Sequence, residues 1–305
     1  MLINFAKLQK RMNRNMKKKY KQLTALFAAA SLILCGCRSS DPMEKYYTFE
    51  EITSAAGEVL GITIIGCSLD TQEIRIPSAI SGKRVIKLGS YKNGDNYIGV
   101  FEGCPSTVER IAVPEGVEEI EGETFANSIS IESVSLPESL VYLGPSVFYY
   151  CEGLTEITIP ENITELLGCD FMGCKSLERA YLPVGLKKIG QLSFAECERL
   201  DKINIPSNVG NIETYAFSGC TSLSEITMQE GLLSIGEMAF DGCESLTDVT
   251  IPDSVETIGR DAFNGCFDIQ VYYRGMTYDY TRLYDIYTLE EGEELPLWFT
   301  PGSEE

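Results

Sequence analysis

The residues with the most evident chemical potential in this 305-residue chain are its eleven cysteines. Seven of them recur at one position of a repeating pattern, each three residues after a phenylalanine. They are Cys104, Cys151, Cys174, Cys197, Cys220, Cys243 and Cys266. Ser128 takes the place of a cysteine between the first two. Thiols in this number can bind metal ions, form disulfides or cycle between redox states.

The spacing within this cysteine column argues against a metal centre. A metal cluster needs ligands that converge, whereas equal positions of stacked repeats lie in a line. Neighbouring thiols one strand spacing apart are compatible with disulfide geometry, but seven cysteines cannot pair completely. An inward, tightly packed position favours free thiols that behave as small hydrophobes, with disulfides as the alternative. Free thiols in an exported protein suggest a reducing or anoxic habitat.

The chain contains no histidine, and this excludes Ser-His-Asp and Cys-His nucleophiles as well as histidine metal sites. No phosphate-binding loop motif occurs. The remaining catalytic candidate is a run of carboxylates at Glu118, Glu119, Glu121 and Glu123. A solvated acidic corner is the favoured interpretation of this run over a paired-carboxylate hydrolase site. We therefore predict a protein without catalytic residues, cofactor or metal.

The charge of the chain restricts its partners. The formal net charge is −20, and the eight basic residues that precede Cys37 have no acidic counterpart in that segment. The rest of the chain is therefore more acidic still. Such a surface repels nucleic acid and excludes a DNA- or RNA-binding role. It could attract cationic patches on a partner or weakly held divalent ions.

Residues 1–36 are predicted to be an export signal. Lysines at positions 17–19 and 21 precede an apolar run from Leu23 to Leu34, which is too short for a comfortable membrane span. Translation could start at Met1 or at Met16. The sequence Leu34-Cys35-Gly36-Cys37 resembles a bacterial lipobox, and this resemblance places a lipid on Cys37. An ordinary signal peptide with incidental cysteines is the alternative.

The cysteine column is one part of a repeat whose period is 23 residues, with one step of 24. Phenylalanine recurs at Phe101, Phe125, Phe148, Phe171, Phe194, Phe217 and Phe240. The unit from Leu246 to Cys266 shows the logic most clearly. Val249 and Ile251 alternate with polar residues as in a half-buried strand, Pro252 ends that strand, and Gly259 permits a corner. One unit cannot bury its apolar residues alone, so we expect stacked coils with continuous phenylalanine and cysteine columns.

The unit L-x-x-I-x-I-P-x-x-V-x-x-I-G-x-x-A-F-x-x-C resembles the BspA-like, or treponemal-type, leucine-rich repeat. The best matches are Leu200 to Cys220, Leu223 to Cys243 and Leu246 to Cys266. The resemblance implies a mainly β solenoid, a right-handed leucine-rich-repeat coil with repeats of about 23 residues. Each repeat is expected to contribute one parallel strand, with short turns or 3-10 segments on the opposite side.

We divide the chain into four parts. Residues 1–36 are the lipoprotein signal peptide. Residues 37–60 form a lipid-anchored tether and an N-terminal cap, in which Tyr46, Tyr47 and Phe49 cover the open end of the solenoid. Residues 61–268 form the leucine-rich repeat solenoid. Residues 269–305 form a C-terminal cap resembling a β-hairpin, followed by an acidic tail.

One repeat departs from the pattern. In the unit from Leu154 to Cys174, Leu167 occupies the usual glycine position, and Cys169 and Asp170 stand where a polar residue and alanine are expected. We expect a local distortion at this corner. The sequence does not link the distortion to a functional site.

A binding face is predicted on the strands, because each strand exposes two side chains beside its central apolar residue. The candidate residues are Arg110, Ser133, Ser135, Glu156, Thr158, Arg179, Tyr181, Lys202, Asn204, Glu225, Thr227, Asp248 and Thr250, with Ala112 beside Arg110. Stacked strands make an extended surface of the kind that solenoids use for recognition. For any single residue, a plain solvent-facing position is the simpler interpretation. Arg179, Tyr181, Lys202 and Asn204 are adjacent and of types that favour binding hot spots.

The resemblance to BspA-like proteins implies adhesion, either to host extracellular-matrix proteins such as fibronectin or fibrinogen or to other bacteria. We accordingly predict a lipid-anchored protein of the bacterial cell envelope, exposed at the surface, that binds a protein ligand through the predicted face. It would contact the membrane through the lipid on Cys37. Two alternatives stay open: a passive structural or decoy component of the envelope, and an accessory glycan-binding lipoprotein. The oligomeric state is open as well.

Overall fold

The computed structural model describes residues 44–93 and 96–287. The predictions for the signal segment, for Cys37 and for the acidic tail lie outside these ranges. The described chain forms a β-solenoid of about nine turns with parallel strands and a repeat of about 23 residues. The expected solenoid fold is therefore confirmed.

One side of the solenoid carries the predicted parallel strands, which we call the front sheet. Its strands are Glu73–Arg75, Arg110–Ala112, Ser133–Ser135, Glu156–Thr158, Arg179–Tyr181, Lys202–Asn204, Glu225–Thr227, Asp248–Thr250 and Gln270–Tyr273. Successive side chains point to opposite faces, so Val134 is buried while Ser133 and Ser135 are exposed. The hydrogen-bonded ladder is interrupted before Lys202–Asn204 and again before Asp248–Thr250.

A second column of short parallel strands was not anticipated from the sequence. These two-residue strands are Glu119–Ile120, Tyr142–Leu143, Glu165–Leu166, Lys188–Ile189, Asn211–Ile212, Ser234–Ile235 and Thr257–Ile258. We call them the second sheet. Their second residue is buried in every coil. The remaining side of each coil consists of turns. In the described ranges, 3-10 helix occurs only at the two ends, Glu44–Tyr46 and Tyr280–Asp285.

Eight phenylalanine rings form a continuous stack through the solenoid. They belong to Phe101, Phe125, Phe148, Phe171, Phe194, Phe217, Phe240 and Phe263. Neighbouring ring centroids lie 5.1–5.4 Å apart, and the interplanar angles are 1–13°. All eight rings are buried. The predicted phenylalanine column is confirmed, in the offset-stacked geometry that aromatic rings prefer over a perfect face-to-face sandwich.

The turn that presents each phenylalanine alternates between two kinds of backbone hydrogen bond. The N–H groups of Tyr215, Phe217 and Gly219 donate to carbonyls of the next coil at 2.7–3.0 Å. The residues between them donate to a carbonyl three residues back within the same coil. Tyr215 and Gly219 adopt positive φ angles of 58° and 77°. The buried amides are thus satisfied at the cost of about 1–2 kcal/mol for each non-glycine residue in the left-handed region.

The N-terminal end is closed by an antiparallel pair, Tyr47–Thr53 with Val59–Cys67. Tyr47 is buried, and Tyr46 and Phe49 pack partly buried against the same core. Three further segments complete the first coils. They are Ala79–Ile80, Lys83–Leu88 and the hairpin of Ser90–Asn93 with Asn96–Gly99.

The C-terminal end is closed by the predicted hairpin. Gln270–Tyr273 pairs in parallel with Asp248–Thr250 and antiparallel with Met276–Asp279, through a turn at residues 274–275. The hairpin therefore extends the front sheet by an antiparallel strand. The helix Tyr280–Asp285 follows, with the Asp279 side chain accepting a hydrogen bond from the backbone of Thr281 at its start.

The divergent coil contains the expected irregularity. The second sheet is interrupted between Tyr142–Leu143 and Glu165–Leu166. Asp170 is fully buried at a position that the three last coils fill with alanine and the others with valine, threonine or serine. Its Oδ2 accepts hydrogen bonds from the Gly168 amide at 2.8 Å and the Ser193 hydroxyl at 3.1 Å. Its Oδ1 has no hydrogen-bond partner in the described chain, and burial raises the pKa of Asp170 to about 7.

We expect Asp170→Ala to stabilise the protein more at pH 8 than at pH 5. The folded-state pKa lies above the ordinary value near 4, so unfolding releases a proton between about pH 4 and pH 7, and wild-type stability falls with rising pH across this window. About two pH units of this window lie above pH 5, so at about 1.4 kcal/mol per unit the difference between the two pH values is at most about 3 kcal/mol. Urea unfolding at both pH values measures it. An equal effect at both pH values would contradict the assignment.

Candidate functional site

The cysteine column is a packing element with a specific hydrogen bond. Cys151, Cys174, Cys197, Cys220, Cys243 and Cys266 are fully buried. Each thiol lies 3.0–3.3 Å from the carbonyl oxygen of the phenylalanine one coil earlier, to which it donates. Ser128, which replaces cysteine in one coil, makes the equivalent hydrogen bond, since its hydroxyl donates to the Phe101 carbonyl at 2.5 Å. This position requires a small side chain that carries a donor.

The environment of these thiols suppresses thiol chemistry. The nine cysteines in the described ranges are free. Burial raises the pKa of Cys220 and of Cys266 to about 12. The thiolate is the form that attacks electrophiles and binds metals, so the column is chemically inert at neutral pH. Among residues 44–93 and 96–287, no three His, Cys, Asp or Glu side chains are placed to hold a metal ion together.

Two carboxylates of the acidic corner, those of Glu119 and Glu121, take part in an ion-pair node. Lys87 lies 3.1 Å from the Glu119 carboxylate and 2.8 Å from that of Glu121. Glu121 also accepts hydrogen bonds from the Ser90 amide at 2.8 Å and the Ser90 hydroxyl at 3.0 Å. Burial acts to raise the pKa of Glu121, but Lys87 and Ser90 outweigh it and the pKa is lowered. A carboxylate held ionised in this way is a poor general acid.

The residues predicted for the binding face lie on one surface of the front sheet. Twelve of the thirteen are exposed, and Arg110 is half-exposed. They form two parallel rows. The charged row is Arg110, Ser133, Glu156, Arg179, Lys202, Glu225 and Asp248. The neutral row is Ala112, Ser135, Thr158, Tyr181, Asn204, Thr227, Thr250 and Tyr272.

Within each row the side chains are brought together across coils. Arg110 pairs in register with Ser133, and Glu156 with Arg179. Two ion pairs join adjacent coils of the charged row. Arg179 lies 3.6 Å from the Glu156 carboxylate, and Lys202 lies 2.7 Å from Glu225. The two cations predicted as hot-spot residues are therefore each engaged with an acidic neighbour.

Three features of this face were missed by the sequence reasoning. Val184 follows the strand of Tyr181, and 66% of its surface is exposed. Ala180 occupies the inward position that isoleucine or valine fills in most other coils, and it is only partly buried. Tyr272 extends the neutral row into the C-terminal hairpin, opposite Thr250. The sequence does contain a signal for the first two. Residues 179–184 read R-A-Y-L-P-V, whereas the equivalent residues 156–161 of the preceding coil read E-I-T-I-P-E.

The repeat geometry agrees with the comparison with protein families. A family described as BspA type leucine rich repeat region matches residues 97–169 and 146–270, in six copies. The chain belongs to the BspA-type leucine-rich repeat family. No curated protein matches it.

Solved structures similar to this BspA-type chain come from bacteria. A leucine-rich repeat protein from T. pallidum is 24% identical, with a TM-score of 0.58 over 66% of this chain and 88% of its own. One from Bacteroides ovatus is also 24% identical, with a TM-score of 0.54 over 74% of this chain and 63% of its own. At this identity the likeness concerns the fold. The described part of the BspA-type chain includes no helix with the length and hydrophobicity of a membrane span.

We expect Cys197→Ser to destabilise this BspA-type protein less than Cys197→Ala does. Serine keeps a donor for the Phe171 carbonyl, as Ser128 does for Phe101, whereas alanine removes that hydrogen bond and leaves a void. One hydrogen bond corresponds to a difference of about 1 kcal/mol. Chemical denaturation of both variants measures it. Equal stabilities, or a less stable serine variant, would show that the thiol serves only as an apolar filler.

Proposed function

We propose that this BspA-type protein is an exported, lipid-anchored bacterial surface protein that binds a protein ligand through the front sheet. The observation that carries the proposal is the two-row face, whose side chains are exposed and in register over consecutive coils. Seven strands spaced about 4.8 Å apart give a surface about 29 Å long between Arg110 and Asp248. This length is adequate for a standard protein interface, which buries about 800 Å² on each partner.

The chemistry of the face supports recognition over catalysis. Its two central cations, Arg179 and Lys202, are exposed, and each is paired with an acid of the same row. Tyrosine and arginine, the residue types enriched at binding hot spots, lie together at Arg179 and Tyr181. Adhesion to host matrix or to other bacterial cells is the form of protein binding that we propose, in keeping with the BspA-type repeats.

The proposed anchor is a lipid on Cys37. Several acyl chains gain about 0.8 kcal/mol for each buried methylene and hold a protein durably at a membrane. The described fold begins at Glu44, seven residues later, so this attachment would hold the N-terminal end of the solenoid close to the membrane.

Metabolic labelling with a palmitate analogue tests this anchor. We expect wild type to incorporate label and Cys37→Ala to lose it, together with loss from the detergent-soluble membrane fraction. Cys35→Ala is the matched control and should keep the label. Equal labelling of wild type and Cys37→Ala would contradict lipidation at this residue.

The binding face is tested by capture from host matrix and neighbouring bacterial cells on full-length protein. We expect the triple variant Arg179→Ala, Tyr181→Ala and Lys202→Ala to lose at least tenfold in affinity for captured proteins, since hot-spot truncations cost about 2 kcal/mol or more each. The double variant Tyr142→Ala and Lys187→Ala removes an aromatic ring and a cation from the second-sheet side and should bind as wild type does. Undiminished binding by the triple variant would remove the front sheet from consideration.

One observation favours a second candidate, binding of a neutral glycan. The neutral row contains hydroxyl, amide and tyrosine side chains and no charge from Ala112 to Tyr272, on a chain whose net charge is −20. Such a row offers donors, acceptors and ring faces without repelling an uncharged polymer. A glycan array probed with the same protein decides between the two, because glycan binding lost on Tyr181→Ala would favour this candidate.

A further inference from the structure

We infer that the centre of the front sheet is a docking site for a carboxylate-bearing segment of a partner protein. The site consists of Arg179 and Lys202 in the charged row and Tyr181 and Asn204 in the neutral row. This inference rests on the proposed protein-binding function and specifies the chemistry of the ligand. It follows from the distribution of charge along the coils, from the hydrogen-bonding groups at these four residues and from the apolar surface beside them.

Charge is distributed unevenly along the solenoid. Residues 111–174 contain twelve acidic residues and no lysine or arginine, and residues 203–259 contain nine acidic residues and again no lysine or arginine. Residues 175–202, between them, contain six basic and four acidic residues. An anionic ligand is repelled along most of the repeat array and is attracted only where this basic coil interrupts it.

Two cations of this basic segment, Arg179 and Lys202, lie on adjacent strands of the front sheet. Along four consecutive coils the charged row reads Glu156, Arg179, Lys202, Glu225, so two cations lie between two acids. Each cation pairs outward with the acid on its own side, at 3.6 Å for Arg179 and 2.7 Å for Lys202. The space between the two cations lies where the hydrogen-bonded ladder is interrupted, and it is flanked by positive charge from both sides.

In each of these two coils, a further acid stands immediately before the front strand. Glu178 is engaged by Arg199 at 2.5 Å, and this pair adds a third cation beside the front sheet. Asp201 is exposed next to Lys202. The net charge of this part of the front sheet is thus close to zero, whereas the repeat array on either side of it is acidic.

Hydrogen-bond donors remain available at the site. Arginine carries five N–H donors and lysine three, and the outward ion pairs use only part of that capacity. The Tyr181 hydroxyl and the Asn204 amide have no hydrogen-bond partner among the described residues. Exposed ion pairs contribute only about 0–1 kcal/mol, whereas a carboxylate that binds arginine through two parallel hydrogen bonds is held more strongly. A ligand carboxylate can therefore displace Glu156 or Glu225.

Exposed apolar surface follows these donors closely along the same coil. Tyr181 is 50% exposed, and Val184, three residues later in the same coil, is 66% exposed. An aromatic or aliphatic side chain next to the ligand carboxylate can bury itself against this pair. The combination of carboxylate and apolar side chain favours a protein segment over a sulfated or phosphorylated polymer, which offers charge without an apolar anchor.

The test is a bead-displayed library of random peptides sorted against full-length protein. We expect enrichment of Asp or Glu next to an aromatic or aliphatic residue, and weaker binding as salt concentration rises. Enrichment of Lys or Arg, or no enrichment, would overturn the inference. A sulfated polysaccharide added as competitor should displace selected peptides less well than an acidic peptide does; the opposite order would favour the polyanion and overturn the inference.

Charge variants locate the site on the molecule. For a selected peptide, the double variant Arg179→Gln and Lys202→Gln should raise Kd at least tenfold. The double variant Glu156→Gln and Glu225→Gln removes the internal competitors and should lower Kd several-fold. If that second variant instead weakens binding, the ligand group is cationic and the inference is wrong.

A matched control separates local from overall charge. The double variant Lys187→Gln and Lys188→Gln changes the net charge by the same amount but lies at the second sheet, and it should change Kd less than twofold. All six substitutions are at the surface, so melting temperatures close to wild type are expected and verify folding.

If proteins captured from cells bind the Arg179→Gln and Lys202→Gln variant as tightly as wild type, this inference fails while the proposed protein-binding function stands. If full-length protein captures no protein, the proposed function fails instead.

Discussion

The architecture depends on a single requirement: every coil must satisfy the inward-facing groups of the coil before it. The phenylalanine carbonyls show how this is done. Five of them, from Phe148 to Phe240, accept the amide hydrogen of the cysteine in their own coil and the thiol hydrogen of the cysteine one coil later, as Phe194 does from Cys197 and Cys220. The ring of the same residue stacks on its two neighbours. Apolar burial and polar satisfaction are therefore achieved by the same two columns, and a coil without a neighbour would lose both.

Close approach between coils also decides where side chains are forbidden. At Gly144, Gly236 and Gly259 an added Cβ would overlap backbone atoms of the preceding coil. Two coils carry glutamate instead of glycine at the equivalent corner. The Glu213 carboxylate accepts a hydrogen bond from the backbone N–H of Gln191 at 3.1 Å, and the Glu121 carboxylate accepts one from the backbone N–H of Ser90. A lysine of the preceding coil neutralises each glutamate, Lys188 for the former. Outside the divergent coil, where Leu167 takes this position, the corner thus has two solutions, a missing side chain or a carboxylate that reaches back.

Sequence reasoning found what the period of the repeat fixes and missed what depends on a single coil. The phenylalanine stack, the front strands and the exposed row positions follow from a pattern repeated many times. The second sheet was missed because a two-residue strand is too short to show alternation, although its buried residue is the regular isoleucine of V-x-x-I. The ion pair between Arg179 and Glu156 joins residues 23 positions apart, and side-chain direction within the row decides it. The partnerless Oδ1 of Asp170 likewise depends on the packing of one corner.

The same constraint indicates where function can vary. In most coils, contacts with two neighbours hold the inward positions to phenylalanine, cysteine or serine, and branched aliphatic residues. The corners are glycine or a bridging glutamate except at Leu167. The first and third residues of each front strand contact solvent, so they can change without disturbing the stack. Arg179 and Lys202 illustrate this freedom, because two like charges on adjacent coils are accommodated by pairing outward with Glu156 and Glu225. A solenoid built in this way separates stability from recognition: the interior repeats, and the two exposed rows carry the information that distinguishes one ligand from another.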